Sequence, residues 1–110
     1  MRDDRARLQD ILEAIERIER YAKKGRDAFQ SDELIQTWMV HHILLIGEAA
    51  AQVSPELRSS HPEVPWRQIV AMRNLLVHAY FAVDLDEVWR VVERDIPRLK
   101  GQVSALLEAT

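Results

Sequence analysis

Segment 73–81 of this sequence contains the side chains whose types and spacing are best suited to chemistry. It has the pattern Arg-x4-His-x-Tyr, formed by Arg73, His78 and Tyr80. Arginine is a permanent cation, histidine exchanges protons near neutral pH, and tyrosine carries a phenolic hydroxyl. Residues 69–77 are otherwise mostly apolar, and a guanidinium among them is costly unless it is paired or binds a ligand. Arg73 is therefore the first candidate functional residue.

Helical geometry separates these groups into two directions. Each residue of an ideal helix advances about 100°, which places Arg73 and Tyr80 together in the middle of an apolar face. Asn74, Arg67 and His78 fall on a polar stripe about 100–140° away. In a straight helix, Arg73 and His78 of one chain therefore do not point at one spot. Either the helix unwinds before His78, or two chains pair their helices across a two-fold axis and form a composite site.

The guanidinium of Arg73 needs an anionic partner. Glu48, which is predicted to be buried because it lies among small residues in a helical stretch, is the first candidate, and Asp84 is the second. A carboxylate that holds Arg73 would orient the guanidinium and leave some of its donors free for a ligand. We therefore place Glu48 among the supporting residues of the site, together with Asn74 and Arg67.

Apolar residues that recur at spacings of three and four predict the helices that position this motif. The first helix covers residues 4–24 and ends at Gly25. The second begins at an N-cap on Ser31. Residues 54–65 contain three prolines and are predicted to be a connector with one short turn. The third helix begins near Trp66 and carries the motif.

The fourth helix has the clearest start in the chain. Asp84 is predicted to be its N-cap, with Glu87 three residues later as in a capping box. A regular apolar stripe runs from Leu85 to Leu106, and Pro97 falls inside it, so we expect a kink and not an end. The predicted fold class is all-α: an up-down antiparallel bundle of four main helices, forming one domain over residues 1–110 and dimerising.

The composition of the 110 residues limits the classes of function. The absence of cysteine excludes disulfides and fits a reducing cytoplasm. The apolar runs are too short to span a bilayer, so no membrane partner is expected. A net charge of −3 argues against charge-driven adhesion to nucleic acid. We therefore expect no DNA partner, and any RNA contact must rest on a local cationic patch. The histidine spacings predict no metal site, and we expect no cofactor.

The motif and its surroundings resemble the HepT family of the HEPN superfamily (higher eukaryote and prokaryote nucleotide-binding domains). The pattern Arg-x4-His-x-Tyr is complete in this chain. The stretch at 46–50, the helix start at 65–66, and the segments 83–84 and 88–89 also look like that family. The resemblance therefore extends over essentially the whole chain.

The resemblance implies a small helical dimer that is the toxin of a prokaryotic toxin–antitoxin pair. Its antitoxin would be a minimal nucleotidyltransferase of the MntA type. Toxins of this superfamily are commonly metal-independent ribonucleases. In the HepT group the antitoxin is understood to silence the toxin by transferring AMP to the motif tyrosine, here Tyr80.

The residue types suit metal-free RNA cleavage. The 2′-hydroxyl of the substrate serves as the nucleophile, and His78 could take and return its proton. Arg73 would stabilise the charge that develops on the phosphorane oxygens. Asn74 could hold His78 or a phosphate oxygen, and Arg67 could extend the substrate-binding surface. An AMP group on Tyr80 would add bulk and negative charge where a phosphate should bind.

Two other interpretations stay open at the level of sequence. The chain could be a non-catalytic nucleotide-binding module that docks the nucleotidyltransferase and accepts AMP on Tyr80; the acidic balance favours this slightly. It could also be a purely structural, self-associating bundle, in which Arg73 forms an internal ion pair and His78 is an ordinary histidine.

Overall fold

The computed structural model describes residues 3–78 and 83–109. Within these ranges the chain is all-α. The helices are, in chain order, α1 (Asp4–Ala22), α2 (Arg26–Ser31), α3 (Glu33–Gln52), α4 (Pro55–Ser60), α5 (Trp66–His78) and α6 (Leu85–Arg90), followed by a π-helical turn (Val91–Asp95) that leads into α7 (Ile96–Ala109). In the described ranges, no helix is both long and apolar enough to cross a membrane.

Helix α1 begins and ends close to the predicted positions. The Asp3 carboxylate accepts a hydrogen bond from the backbone N–H of Ala6 at 2.9 Å and caps the helix. Gly25 donates its backbone N–H to the carbonyl of Ala22 at 3.0 Å. Its φ angle of 94° lies in the left-handed region that favours glycine, so the chain turns there and α2 begins.

The predicted N-cap at Ser31 is wrong. Ser31 is the last residue of α2, and its hydroxyl donates to the carbonyl of Asp27 at 2.9 Å. The cap of α3 is Asp32, whose carboxylate accepts from the N–H of Leu34 at 2.9 Å. Helix α2 owes its position to a tertiary contact that sequence spacing does not reveal: Phe29 is buried, with its ring 5.3 Å from that of Trp89.

Helices α1 and α7 run antiparallel. The guanidinium of Arg5, at the start of α1, donates to the carbonyl of Leu107 near the end of α7. The amine of Lys100, near the start of α7, lies 2.8 Å from the carboxylate of Glu19 near the end of α1. These contacts join opposite ends of the two helices, as the predicted bundle requires.

Helices α1 and α3 are antiparallel for the same reason. The Asp4 carboxylate accepts from the backbone N–H of Ser54, just after α3, at 2.8 Å. At the other end, the indole N–H of Trp38 donates to the carbonyl of Arg17 at 2.8 Å. Ser54 also caps α4, which extends to Ser60 and is longer than the single turn that the prolines predicted.

Helix α6 confirms Asp84 as its N-cap, because the Asp84 carboxylate accepts from the N–H of Asp86 at 2.9 Å. Glu87 does not complete the expected capping box, since its carboxylate pairs with Arg90. The disturbance expected at Pro97 is the π-helical turn that precedes it, in which the Ile96 N–H donates to the carbonyl of Val91. A proline ring crowds the carbonyl four residues earlier, and a wider turn relieves this.

Candidate functional site

Helix α5 carries the motif and is anchored at its start. The indole N–H of Trp66 donates to the carbonyl of His61 at 3.0 Å, and the Trp66 side chain is buried. Towards the bundle, Leu76 is buried, and Ile69 and Met72 pack against the core. Arg67, Arg73, Asn74 and His78 all lie on this helix. Tyr80, the predicted AMP acceptor, lies outside the described residues.

Arg73 pairs with Glu48 of α3, the first of its two predicted partners. Its Nη1 lies 2.7 Å from Oε1 of Glu48. The pair lies at the rim of the helix contact and not in the interior, because the side chains are 24% and 48% exposed. The arginine therefore escapes the full cost of a buried charge while keeping a fixed carboxylate partner.

The guanidinium of Arg73 keeps donors that Glu48 does not use. Among the described residues, Nη1 is the only nitrogen of this side chain that has a hydrogen-bond acceptor. The Nε atom is buried without one. Arginine has five N–H donors in a fixed plane, so a phosphate could bind the N–H groups of Nη1 and Nη2 that Glu48 leaves unused.

Gly47 makes room for Arg73 at the crossing of α3 and α5. A Cβ atom added to Gly47 would lie 2.8 Å from Cγ of Arg73, closer still to its Cβ, and 3.3 Å from the carbonyl oxygen of Ile69. Any larger residue would push the two helices apart at this point. The sequence marked Gly47 only as one of several small residues, whereas the structure makes it a positioning residue for Arg73.

His78 is the last residue of α5 and is exposed. The helix is continuous from Trp66 to His78, so it does not unwind before the histidine. Arg73 and His78 are therefore separated by about 140° around the helix, and one chain does not bring them together. Of the two geometries that the sequence left open, unwinding before His78 is therefore excluded, and pairing with another chain stays a prediction.

An exposed row of polar side chains runs along α5 beside His78. Arg67, Asn74 and His78 lie within about 40° of one another around the helix, and all three are exposed. We call these three residues the exposed row. The Arg67 side chain has no ion-pair partner among the described residues. The row therefore presents a cation, an amide and an imidazole to solvent.

The apolar face of α5 is wider than the surface that the bundle covers. Val77 is 50% exposed, and Leu75 is 59% exposed. Helix α3 packs against only one side of α5, on the side of Ile69 and Leu76, so the next residues around the helix are left open. The motif is thus bordered by apolar surface in solvent.

His42 of α3 differs from the exposed His78. His42 is 3% exposed, and its Nδ1 lies 2.7 Å from the carbonyl of Trp38. Burial lowers the pKa of His42 below its ordinary value, and the nearby charges of His41 and Arg17 add to this. His42 is therefore a neutral core residue. Within residues 3–78 and 83–109, no three His, Asp or Glu side chains are grouped so as to hold a metal ion.

The sequence of this chain is similar to those of a known protein family. The family model described as ribonuclease HepT-like matches residues 11–106. A Thermococcus cleftensis protein named as a probable ribonuclease HepT is 40% identical over 100 residues, which cover 90% of this chain and 91% of that protein. A Methanocaldococcus jannaschii protein named as a candidate RNase is 33% identical over 103 residues, covering 93% of this chain and 94% of that protein.

A longer relative from Methanocaldococcus jannaschii is named as a gamma-glutamylcyclotransferase and candidate RNase. It is 38% identical over 108 residues, which cover 97% of this chain but only 49% of that protein. The chain thus corresponds to about half of this relative. No solved structure matches the chain.

Proposed function

Because this chain belongs to the ribonuclease HepT-like family of the HEPN superfamily, we propose that it is a metal-independent ribonuclease and the toxin of a prokaryotic toxin–antitoxin pair. The names of its relatives support the ribonuclease activity. The observation that carries the proposal is the arrangement of Arg73, which Glu48 orients from one side while its other donors stay free.

The active site is a composite of two chains. Arg73 of one protomer and His78 of its partner meet across a two-fold axis, and the reciprocal pair forms a second site. Two observations support this arrangement. The continuous helix separates the two groups of one chain, and the exposed Leu75 and Val77 border them with apolar surface that a second copy can bury.

Cleavage proceeds through the 2′-hydroxyl of the RNA. His78 takes the proton of this hydroxyl, and the resulting oxygen attacks the adjacent phosphorus. Arg73 donates hydrogen bonds to the phosphorane oxygens, where negative charge accumulates. The bond from phosphorus to the 5′-oxygen breaks, and that oxygen leaves with the proton that His78 returns. The products are a 2′,3′-cyclic phosphate and a 5′-hydroxyl end.

An MntA-type minimal nucleotidyltransferase is the antitoxin and the second partner in this proposal. It transfers AMP from ATP to the hydroxyl of Tyr80, and pyrophosphate leaves. Tyr80 follows His78 by two residues in the sequence. The added phosphate brings a negative charge close to the site where the scissile phosphate binds, so like-charge repulsion and bulk exclude RNA.

The main alternative is a non-catalytic module that docks the nucleotidyltransferase, binds a nucleotide and accepts AMP on Tyr80. The net charge of −3 favours this alternative, because it opposes broad attraction of RNA. Under this alternative the wild-type protein does not cleave RNA, and Arg73→Ala changes only nucleotide binding.

The experiment that separates these functions is RNA cleavage in EDTA by the purified protein, with intact mass establishing an unmodified Tyr80. We expect cleavage that leaves cyclic phosphate ends and falls by about 10³-fold in both Arg73→Ala and His78→Ala. An unmodified protein that leaves several classes of RNA intact would overturn the nuclease and favour the docking module.

A further inference from the structure

A groove of about 850 Å³ lies between α4 and residues 66–74 of α5. One wall carries Arg58 and Ser59, and the other carries Arg67 and Asn74. Among the described residues, no Asp or Glu lines this groove, although the chain as a whole has a net charge of −3. We call this surface the basic groove. The lining of the groove is therefore positively charged, whereas the chain as a whole is negatively charged.

The two arginines of the basic groove are available to a ligand. Neither Arg58 nor Arg67 forms a side-chain hydrogen bond or ion pair with any described residue. Arg73, by contrast, is held by Glu48 at 2.7 Å. A planar guanidinium without a carboxylate partner is well suited to bind a phosphate oxygen through two N–H groups.

The basic groove points along α5 toward His78. The α5 residues that line it include Arg67 and Asn74, which are the first two members of the exposed row. His78 is the next residue of the same row, about 6 Å beyond Asn74 along the helix axis. The row from Arg67 to His78 is about 16 Å long, which is enough to accompany more than one phosphate of a nucleic-acid strand.

The lining is also partly apolar, which selects among nucleic acids. Pro55, Pro62 and Ala71 are exposed and contribute to the same groove. A single strand presents phosphates together with unpaired base faces, so it can use both the arginines and the apolar lining. A duplex covers its base faces by stacking and would use the charges alone.

We propose that the basic groove binds single-stranded RNA on one side of the scissile bond and leads it to His78. Arg58 and Arg67 hold successive phosphates, and Asn74 is the last contact before the reacting group. This inference rests on the proposed function, since it names the substrate path of the same site. It adds Arg58 and helix α4 to the RNA-binding surface.

The test is binding of a single-stranded oligonucleotide of about ten 2′-O-methyl ribonucleotides, which lacks the nucleophile and is not cleaved. The variants are Arg58→Gln and Arg67→Gln. We expect each to weaken binding about fivefold and to reduce the slope of log affinity against log salt by about 0.7. On cleavable RNA, each variant should raise KM by a similar factor and leave kcat nearly unchanged.

The matched control is Arg20→Gln. Arg20 is exposed and lies near the end of α1. It is about 24 Å along that helix from Asp4, which contacts Ser54 beside α4. This variant removes the same charge without touching the groove and should leave affinity and salt slope unchanged. A second variant, Arg58→Lys, keeps the charge and should retain most of the binding, which separates charge loss from damage to the fold.

The outcomes distinguish this inference from the proposed function. Cleavage with unchanged binding in Arg58→Gln and Arg67→Gln would leave the nuclease intact and overturn the groove. If binding depends on both arginines but the protein does not cleave RNA, the groove is supported and the nuclease is overturned. Equal losses in Arg20→Gln, or equal affinity for duplex RNA, would also overturn the groove as a single-strand site.

Discussion

The two sides of helix α5 differ in how firmly they hold the motif. On the side toward α3, Gly47 admits the stem of Arg73, and Glu48 fixes its guanidinium. On the solvent side, His78 and Asn74 are exposed. One chain therefore supplies a cation that is already oriented and a histidine at the end of the helix, over which no second element of the described residues packs.

This difference indicates which part of the site is complete before a partner or substrate arrives. Electrostatic stabilisation requires donors that are held in advance, and the contact with Glu48 provides that for Arg73. Proton transfer requires His78 within hydrogen-bond reach of the hydroxyl that it deprotonates. In the proposed dimer, the second copy and the RNA together enclose the imidazole.

The largest effect should come from mixing two inactive variants. Arg73→Ala and His78→Ala alone each lose about 10³-fold in cleavage. In a mixed dimer, the intact Arg73 of one chain meets the intact His78 of the other, which restores one site of two. Random exchange of equal amounts should therefore return about one quarter of wild-type activity. The measurement is the cleavage rate after the two variants are unfolded together and refolded.

The control for this mixture is each variant refolded alone at the same total concentration. A mixture that stays as inactive as its components would contradict the composite site and require Arg73 and His78 of one chain to act together. A dimer measured in all samples, for example by light scattering, would make that result unambiguous.

Much of the fold could be predicted because local signals and burial agree. Asp84 caps its helix as predicted, and the stripe through Ile96 and Leu106 is buried. The start of α3 was misplaced because Ser31 and Asp32 are both good caps. The choice between them depends on Phe29, which packs against Trp89 far away in the sequence. A spacing pattern contains no information about such a distant contact.

The sequence predicted the residue types of the site and the partner of Arg73, but not how exposed these side chains are. Glu48 was identified as a partner for Arg73 because a guanidinium in an apolar run needs a carboxylate, and the two side chains meet. The small neighbours of Glu48 suggested burial, yet its side chain is 48% exposed. Neighbouring residues of a helix point in directions about 100° apart, so Gly47 can face α5 while Glu48 lies at the rim of the contact between α3 and α5.

One added methyl group at Gly47 should disrupt the contact between α3 and α5. Gly47→Ala places a Cβ 2.8 Å from Cγ of Arg73 and against the backbone of Ile69, so the helices must separate. We expect a loss of about 1–3 kcal/mol in the free energy of unfolding, together with reduced cleavage because Arg73 moves. Chemical denaturation and the cleavage rate are the two measurements.

Gly101→Ala is the matched control for this variant. Gly101 lies in α7, and an added Cβ there has nothing within 4 Å among the described residues. Alanine is the better helix former by about 0.8–1.0 kcal/mol, so this variant should be more stable than the wild type. The same sign at both positions would contradict the close contact at Gly47.

The charge of Glu48 can be removed without removing its shape. Glu48→Gln keeps an acceptor for Arg73 but replaces a charge-assisted hydrogen bond with a weaker one. We expect cleavage to fall about tenfold, while the free energy of unfolding changes little because half-exposed pairs contribute only about 0–1 kcal/mol. The control is Glu19→Gln, since Glu19 pairs with Lys100 of α7 at 2.8 Å and its side chain is similarly exposed, at 41%. Equal activity in both variants would exclude a positioning role for Glu48.

The smallest effect should distinguish buried His42 from exposed His41 on the same helix. Burial lowers the pKa of His42 below its ordinary value of 6.5, so near and below that pH the unfolded chain binds a proton that the folded chain resists. Its contribution to stability is therefore complete above pH 6.5 and is lost as the pH falls toward the folded pKa. Urea unfolding at several pH values should show a shallower acid decline in His42→Gln than in the wild type. The same substitution at exposed His41 should leave most of the decline in place, because that imidazole can meet water in both states. Parallel declines in all three proteins would assign the acid sensitivity to other groups.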